Sequence, residues 1–239
     1  MPTLKPLCLA LLLAASPAYA QQNIDKVNGA IEVSAGQVAG KLETVNGAIS
    51  IGENARTSSA ETVNGAIRVG KGAQVGSLEA VNGSITLGEG VRSGSLETVN
   101  GSIRVAANGE TGSIETVSGG VFVDRGGRVK GDIETVNGAI GVVASRVEGD
   151  IETVNGNITI GIDSYVGGKL KIEKNKGSSF MGISGKQRPP RIIIGPNAVV
   201  AGPLVFEREV KLYVHSSAKT GAITGATAQR FDTPTPPND

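Results

Sequence analysis

ETVNGAIRVGKGAQVGSL (residues 61–78) runs without a break into EAVNGSITLGEGVRSGSL (79–96) and ETVNGSIRVAANGETGSI (97–114). The three blocks can be written one under another with almost every position keeping its chemical character. The anchor is Val-Asn-Gly, a small residue, then Ile. It starts at Val27, Val45, Val63, Val81 and Val99, in degenerate form at Val117 (VSGGV), and again at Val136 and Val154. The successive spacings are 18, 18, 18, 18, 18, 19 and 18 residues. So short a fixed period marks a solenoid, in which each repeat stacks on the last and cannot bury its apolar face alone.

Within one repeat a second beat is audible. Val63, Val69, Val75, Val81 and Leu87 stand six apart, and the series continues through Ser93, Val99, Val105, Thr111, Val117, Val123 and Val129. One inward residue every six, with Gly or Asn often just after it, describes short strands meeting at corners. The reading is an all-β fold: a single-stranded parallel β-helix (β-solenoid) of either hand, with about 18 residues per three-sided rung. Asn and Gly tolerate positive φ, so the Asn-Gly corners are expected to use it. Asn28, Asn46, Asn64, Asn82, Asn100, Asn137 and Asn155 are expected to stack as an amide ladder, broken at Ser118. The rival reading takes each Asn-Gly as a β-hairpin turn, with Leu78 opposite Leu87. Against it, the beat persists through Ile194, Val200, Phe206, Leu212, Ala218 and Thr224, where no Asn-Gly occurs. One conflict is visible in advance: if Val81 points inward, alternation sends Glu79 inward too, at a cost. A bulge or corner between Leu78 and Val81 is the expected remedy.

Outward from the repeats, the chain divides into parts. Residues 1–20, MPTLKPLCLALLLAASPAYA, have one Lys, an apolar run from Leu7 to Ala15 and a small-x-small site at Ala18-Tyr19-Ala20. They read as a signal peptide, too short to span a bilayer, and predict an exported protein, periplasmic or on the cell surface. Residues 21–225 read as the β-solenoid domain. Residues 173–190, Lys-rich, Gly/Ser-rich and ending in Pro189-Pro190, read as an inserted loop. Residues 226–239 read as a disordered Pro-rich tail. About ten rungs are expected, a rod of ~50 Å at the inter-strand spacing.

Composition agrees. Aromatics are only 3 % and the chain holds 35 Gly, which suits a narrow interior of stacked aliphatics. The single Cys lies in the signal peptide. Residues 21–170 carry 12 Lys and Arg against 17 Asp and Glu, a net of −5, and residues 171–239 carry 10 against 5, a net of +5. The near-neutral whole argues against nucleic acid as a partner, which needs a strongly basic surface. Most aromatics fall late (Tyr165, Phe180, Phe206, Tyr213 and Phe231), where they would cap the core. The first repeat leaves no room for a cap, so its open edge is expected to support end-to-end self-association.

Two columns invite a functional reading. Glu43, Glu61, Glu79, Glu97, Glu115, Glu134 and Glu152 hold one place in seven repeats. They form either a solvated stripe neutralised by neighbours such as Arg68 and Arg104, or a divalent-cation stripe. The Asp- and Gly-dense calcium loops of β-rolls are absent, which favours the first. The adjoining Thr column (Thr44, Thr62, Thr98, Thr116, Thr135 and Thr153) reads as β-propensity or as a flat glycan-binding face. The only His is His215, and no nucleophile elbow, phosphate loop or acid/base pair accompanies it. No catalytic, cofactor-binding or metal-binding residue is assigned, no cofactor is expected, and the chain is read as not an enzyme.

The rung Gly-Ser-Leu-Glu-Thr-Val-Asn-Gly-Ser-Ile resembles two bacterial groups, the polymer-forming bactofilins and the exported putative-adhesin repeats. IIIGPNAVVAGPLVFEREVKLYVHSSAKTGAITG (192–225) is similar to bactofilin rungs. The resemblance spans about 24–225 and implies a β-helix, assembly into filaments and no catalytic residues; the signal peptide departs from the cytoplasmic bactofilins. The expected role is an exported structural or scaffold protein, with an adhesin or glycan-binding rod using a Thr/Glu outer face, directed at cell-envelope polysaccharide, as the alternative.

Overall fold

In the computed structural model, which describes residues 22–174 and 188–237, the polypeptide coils into about eleven stacked rungs. All the named strands pair in parallel, and no helix occurs among the described residues. Pairing partners are one repeat apart: Leu78 lies beside Leu96, Ile85 beside Ile103, Arg56 beside Gln74. This excludes the hairpin reading, since Leu78 and Leu87 sit on different faces of one rung.

Each rung has three unequal sides. Up to Asn155 the first is five or six residues long, as in Leu78–Asn82, and it shortens to two or three in the last rungs. The second has three up to Ile160, as in Ile85–Leu87, and four or five beyond, and the third has two, as in Gln74–Val75. The first and second faces are eleven-stranded sheets; the third is ribbon-thin, joined by single bridges at Arg92. Along the rung the buried residues are Leu78, Ala80, Ile85, Leu87 and Val91. Their equivalents above and below form one continuous aliphatic column from Ile31 to Val214, which replaces the aromatic core of an ordinary domain.

The six-residue beat holds on the second and third faces, where Val69, Val75 and Leu87 are buried, and fails on the first. There Leu78 and Ala80 point in, while Glu79 and Val81 point out. No bulge is needed: plain alternation keeps the carboxylate in water and spends a valine on the surface. The inward partner in most rungs is Thr, whose hydroxyl donates to the carbonyl of the corner glycine one rung back, as Thr62 to Gly47 and Thr98 to Gly83 at 2.9 Å. The Thr column therefore lies inside the rod, 1–5 % exposed, and is no outer face.

The Asn ladder forms as expected. Each Nδ2 donates to the Oδ1 below it at 3.0–3.1 Å, from Asn46 to Asn28 up to Asn100 to Asn82, and from Asn155 to Asn137. The ladder is interrupted at Ser118. At this corner positive φ occurs only in the end rungs, at Gly29 (110°) and Gly225 (82°); in the rungs between it belongs to another corner. Gly36, Asn54, Gly72, Gly90, Asn108, Gly126, Ala144, Asp163 and Asn197 form a left-handed column with φ of 44° to 72° between the second and third faces. At the Asn-Gly corner the glycine serves close approach: a Cβ on Gly83 would lie 1.8 Å from the carbonyl oxygen of Gly65. The extra residue of the repeat before Val136 is absorbed at the third corner. Thr111 pairs with Val129 at the usual offset, whereas Ile114 pairs with Ile133, so the loop at Lys130–Asp132 takes up the slack.

The solenoid continues beyond residue 225. Ala228–Phe231 forms a strand against Lys211–His215, correcting the expectation of disorder from 226 onward. Phe206 lies in the interior near this end, whereas Tyr213 and Phe231 are buried outside it, Tyr213 beneath the Arg191 guanidinium at 4.9 Å and Phe231 edge-on to His215 at 5.1 Å, so neither belongs to the expected cap. Tyr165 is not part of this cap: it lies on the third face beneath the Arg146 guanidinium. Phe180 and residues 1–20, read from sequence as a signal peptide, lie outside the described residues, as does most of the segment 173–190 expected to be an inserted loop, whose described ends are 173–174 and 188–190.

Candidate binding groove on the first face

Alternation along the first face leaves two outward ridges. One is the Glu column, the other a column of valines: Val45, Val63, Val81, Val99, Val117 and Val136 are 38–44 % exposed, and Val27, on the first described rung, 68 %. The ridges lie two residues apart on the same strands, roughly 6.8 Å, and repeat at each rung, roughly 4.8 Å. Between them runs an open groove of about 860 Å³, from Asp25 on the first rung to Glu173, floored by the backbone of the Thr column. Such a row of exposed valines is an unusual concentration of apolar surface for a face that meets water.

Among the described residues, charge along the groove is compensated only at its ends. Lys41 bridges Glu43 and Glu61 at 2.5 and 3.0 Å. Lys169 bridges Asp150 and Glu152 at 3.0 and 2.9 Å, and Lys171 reaches Glu173 and Glu207 at 2.7 and 3.2 Å. These contacts hold all three lysines above their ordinary pKa, and the bond from Lys41 holds Glu43 below the usual carboxylate range. Glu79, Glu97, Glu115 and Glu134 form no ion pair among the described residues. Partial burial first, then the flanking carboxylates Glu61 and Glu97, push Glu79 up; burial, then Glu115 and Glu152, do the same to Glu134.

The partners expected from sequence, Arg68 and Arg104, are elsewhere. Both are on the second face, where Arg104 stacks on Phe122 at 4.6 Å. Knowing only the period, no reading could place them, because face membership depends on where the corners fall. Lys71, by contrast, pairs with Glu89 one rung on, at 2.9 Å. The third face carries its own network, with Glu110 between Arg92 and Lys130 and Glu148 between Arg128 and Arg146. His215 sits at the C-terminal end with Nδ1 2.8 Å from Ser217 Oγ, remote from the groove. Among the described residues no three His, Cys, Asp or Glu side chains are grouped to hold a metal ion.

The sequence reading named the Glu column but missed the valines as surface. The signal was present in L-E-T-V itself: a glutamate two residues before a valine on a strand shares its side. Comparison with protein-family models, with curated proteins and with solved structures finds no match to this chain.

Proposed function

We propose that this chain is a structural rod, exported by its N-terminal segment and without enzymatic activity, that associates end to end. The observation that carries the reading is that both end rungs leave strand edges unpaired among the described residues. At the C-terminal end Lys219–Thr220, Ile223–Thr224 and Ala228–Phe231 each pair on one side only among the described residues. At the N-terminal end Ile24–Asn28 pairs, among the described residues, on one side only, with Lys41–Asn46, and offers the other edge to a further strand. Polymer formation of the bactofilin kind fits such an end, and the opposite net charges of the two parts of the chain favour head-to-tail order. Sedimentation velocity on residues 21–239 over a wide concentration range tests it. Growing oligomers, abolished when Lys26 and Val27 are replaced by Pro and Lys, are expected; a strict monomer throughout removes the proposal.

The groove favours a second reading, a rod that binds a partner along its side, as an adhesin does with cell-envelope polysaccharide. Its outer face is then Glu/Val rather than Thr/Glu. Retention of the protein on immobilised polysaccharide, lost when the valine ridge is altered, is the expected result.

A further inference from the structure

We infer that the first-face groove is a docking surface for a cationic amphipathic α-helix of a partner protein, laid along the rod axis. The inference does not depend on end-to-end association, and it names a partner other than a glycan.

Three observations lead there. First, the two ridges differ in chemistry: a valine column wants an apolar stripe, and a parallel glutamate column wants a cationic one beside it. A single ligand must supply both, side by side, over several rungs. Second, the compensation of charge is incomplete where the groove is longest. Lysines of this chain cover Glu43 and Glu61 at one end and Glu152 and Glu173 at the other, and the four glutamates between form no ion pair among the described residues. Burial first, and after it the flanking carboxylates, raise the pKa of Glu79 and Glu134.

Third, the backbone of the face is already satisfied. Every strand between the end rungs pairs on both sides, so the face has no free edge for an extended peptide to join. A peptide lying along it must satisfy its own N–H and C=O groups, which a helix does and an isolated strand does not. The dimensions agree as well. A helix turn rises about 5.4 Å, close to the rung spacing of about 4.8 Å, so a lysine and a leucine per turn meet nearly one glutamate and one valine per rung. Glu43 to Glu152 covers six rung intervals, roughly 29 Å, the length of a helix of about 19 residues.

The test uses a synthetic 18-residue peptide of Leu and Lys, patterned so that a leucine stripe and a lysine stripe lie side by side on a helix, with residues 21–239 as receptor. Saturable one-to-one binding is expected, with a gain of helical circular dichroism that cannot come from the all-β receptor. Binding should weaken at least tenfold in the Glu79→Gln, Glu97→Gln, Glu115→Gln, Glu134→Gln combination. It should weaken at least tenfold again, with the charge untouched, in Val81→Thr, Val99→Thr, Val117→Thr, a set that keeps β-branching and so protects the fold. A peptide with Ser for Leu should bind at least tenfold more weakly. Equal binding by the valine variants, or binding without helix gain, would mean mere attraction of a polycation and would overturn the inference. So would lateral dimers of the receptor alone that vanish in the valine variants, since the groove would then be covered by a second copy.

Discussion

The two glycine-rich corners of a rung look alike in sequence and do different jobs. At the corner after Asn82, successive backbones press so closely that a single carbon on Gly83 would overlap a carbonyl oxygen. At the corner after Leu87, Gly90 has open space around its Cα and is required by its φ of 67°. The first corner is intolerant of volume, the second of handedness. That is why the first is glycine in every repeat that carries the motif, whereas the second accepts Asn54, Asn108, Asp163 and even Ala144. A steric clash between backbones cannot relax without separating two rungs, while a left-handed residue is a local strain that a short polar side chain softens.

Substitutions separate the two. Gly83→Ala should cost most, about 3 kcal/mol or more, because the added methyl meets backbone on the neighbouring rung rather than a side chain that can turn aside. Gly90→Ala, the same chemical change at the other corner, should cost only about 1 kcal/mol. Denaturant midpoints of the pair measure the difference, and equal losses would break the distinction. Ala144→Gly relieves a φ of 44° on a residue with a Cβ. It should stabilise by roughly 0.5 kcal/mol, the relief being partly offset by the freedom glycine gains in the unfolded chain. A melting temperature that falls would show that this corner is not strained there. The smallest effect is expected from Ser118→Asn, which completes the ladder between Asn100 and Asn137 at an exposed edge and should add roughly 0.3 kcal/mol. Amide resonances of Asn100 and Asn137 that do not move in this variant would mean the ladder stays broken.

Sequence reached far into this fold for a definite reason. In a solenoid the contact map is the repeat itself, so a period of 18 residues is already a list of neighbours: Ile67 beside Ile85, Glu61 beside Glu79, Asn64 beside Asn82. What the period does not contain is the position of the corners, and the misplacements follow from that alone. Counting by sixes assumed three equal sides. The first side is longer than the third, so Val63, Val81, Val99 and Val117 came out on the surface, and Arg68 and Arg104 fell on a different face from the glutamates they were to neutralise. Left-handed corners were assigned to Asn-Gly by composition, although close stacking fills that place with glycine for another cause. The groove shared this fate. Its acidic wall was legible as a column, its apolar wall was counted into the core, and only the true alternation of Leu78, Glu79, Ala80 and Val81 brings the two together.

Because each rung touches only the one before and the one after, the molecule behaves as a ruler graduated in identical marks. Joining Leu78 directly to Glu97 removes one mark and leaves the columns of leucine, glutamate, threonine and valine in line. Inserting a copy adds one. The reach of whatever surface such a rod presents can thus be lengthened or trimmed by duplication or loss of a short stretch of coding sequence, with the interior left unrewritten.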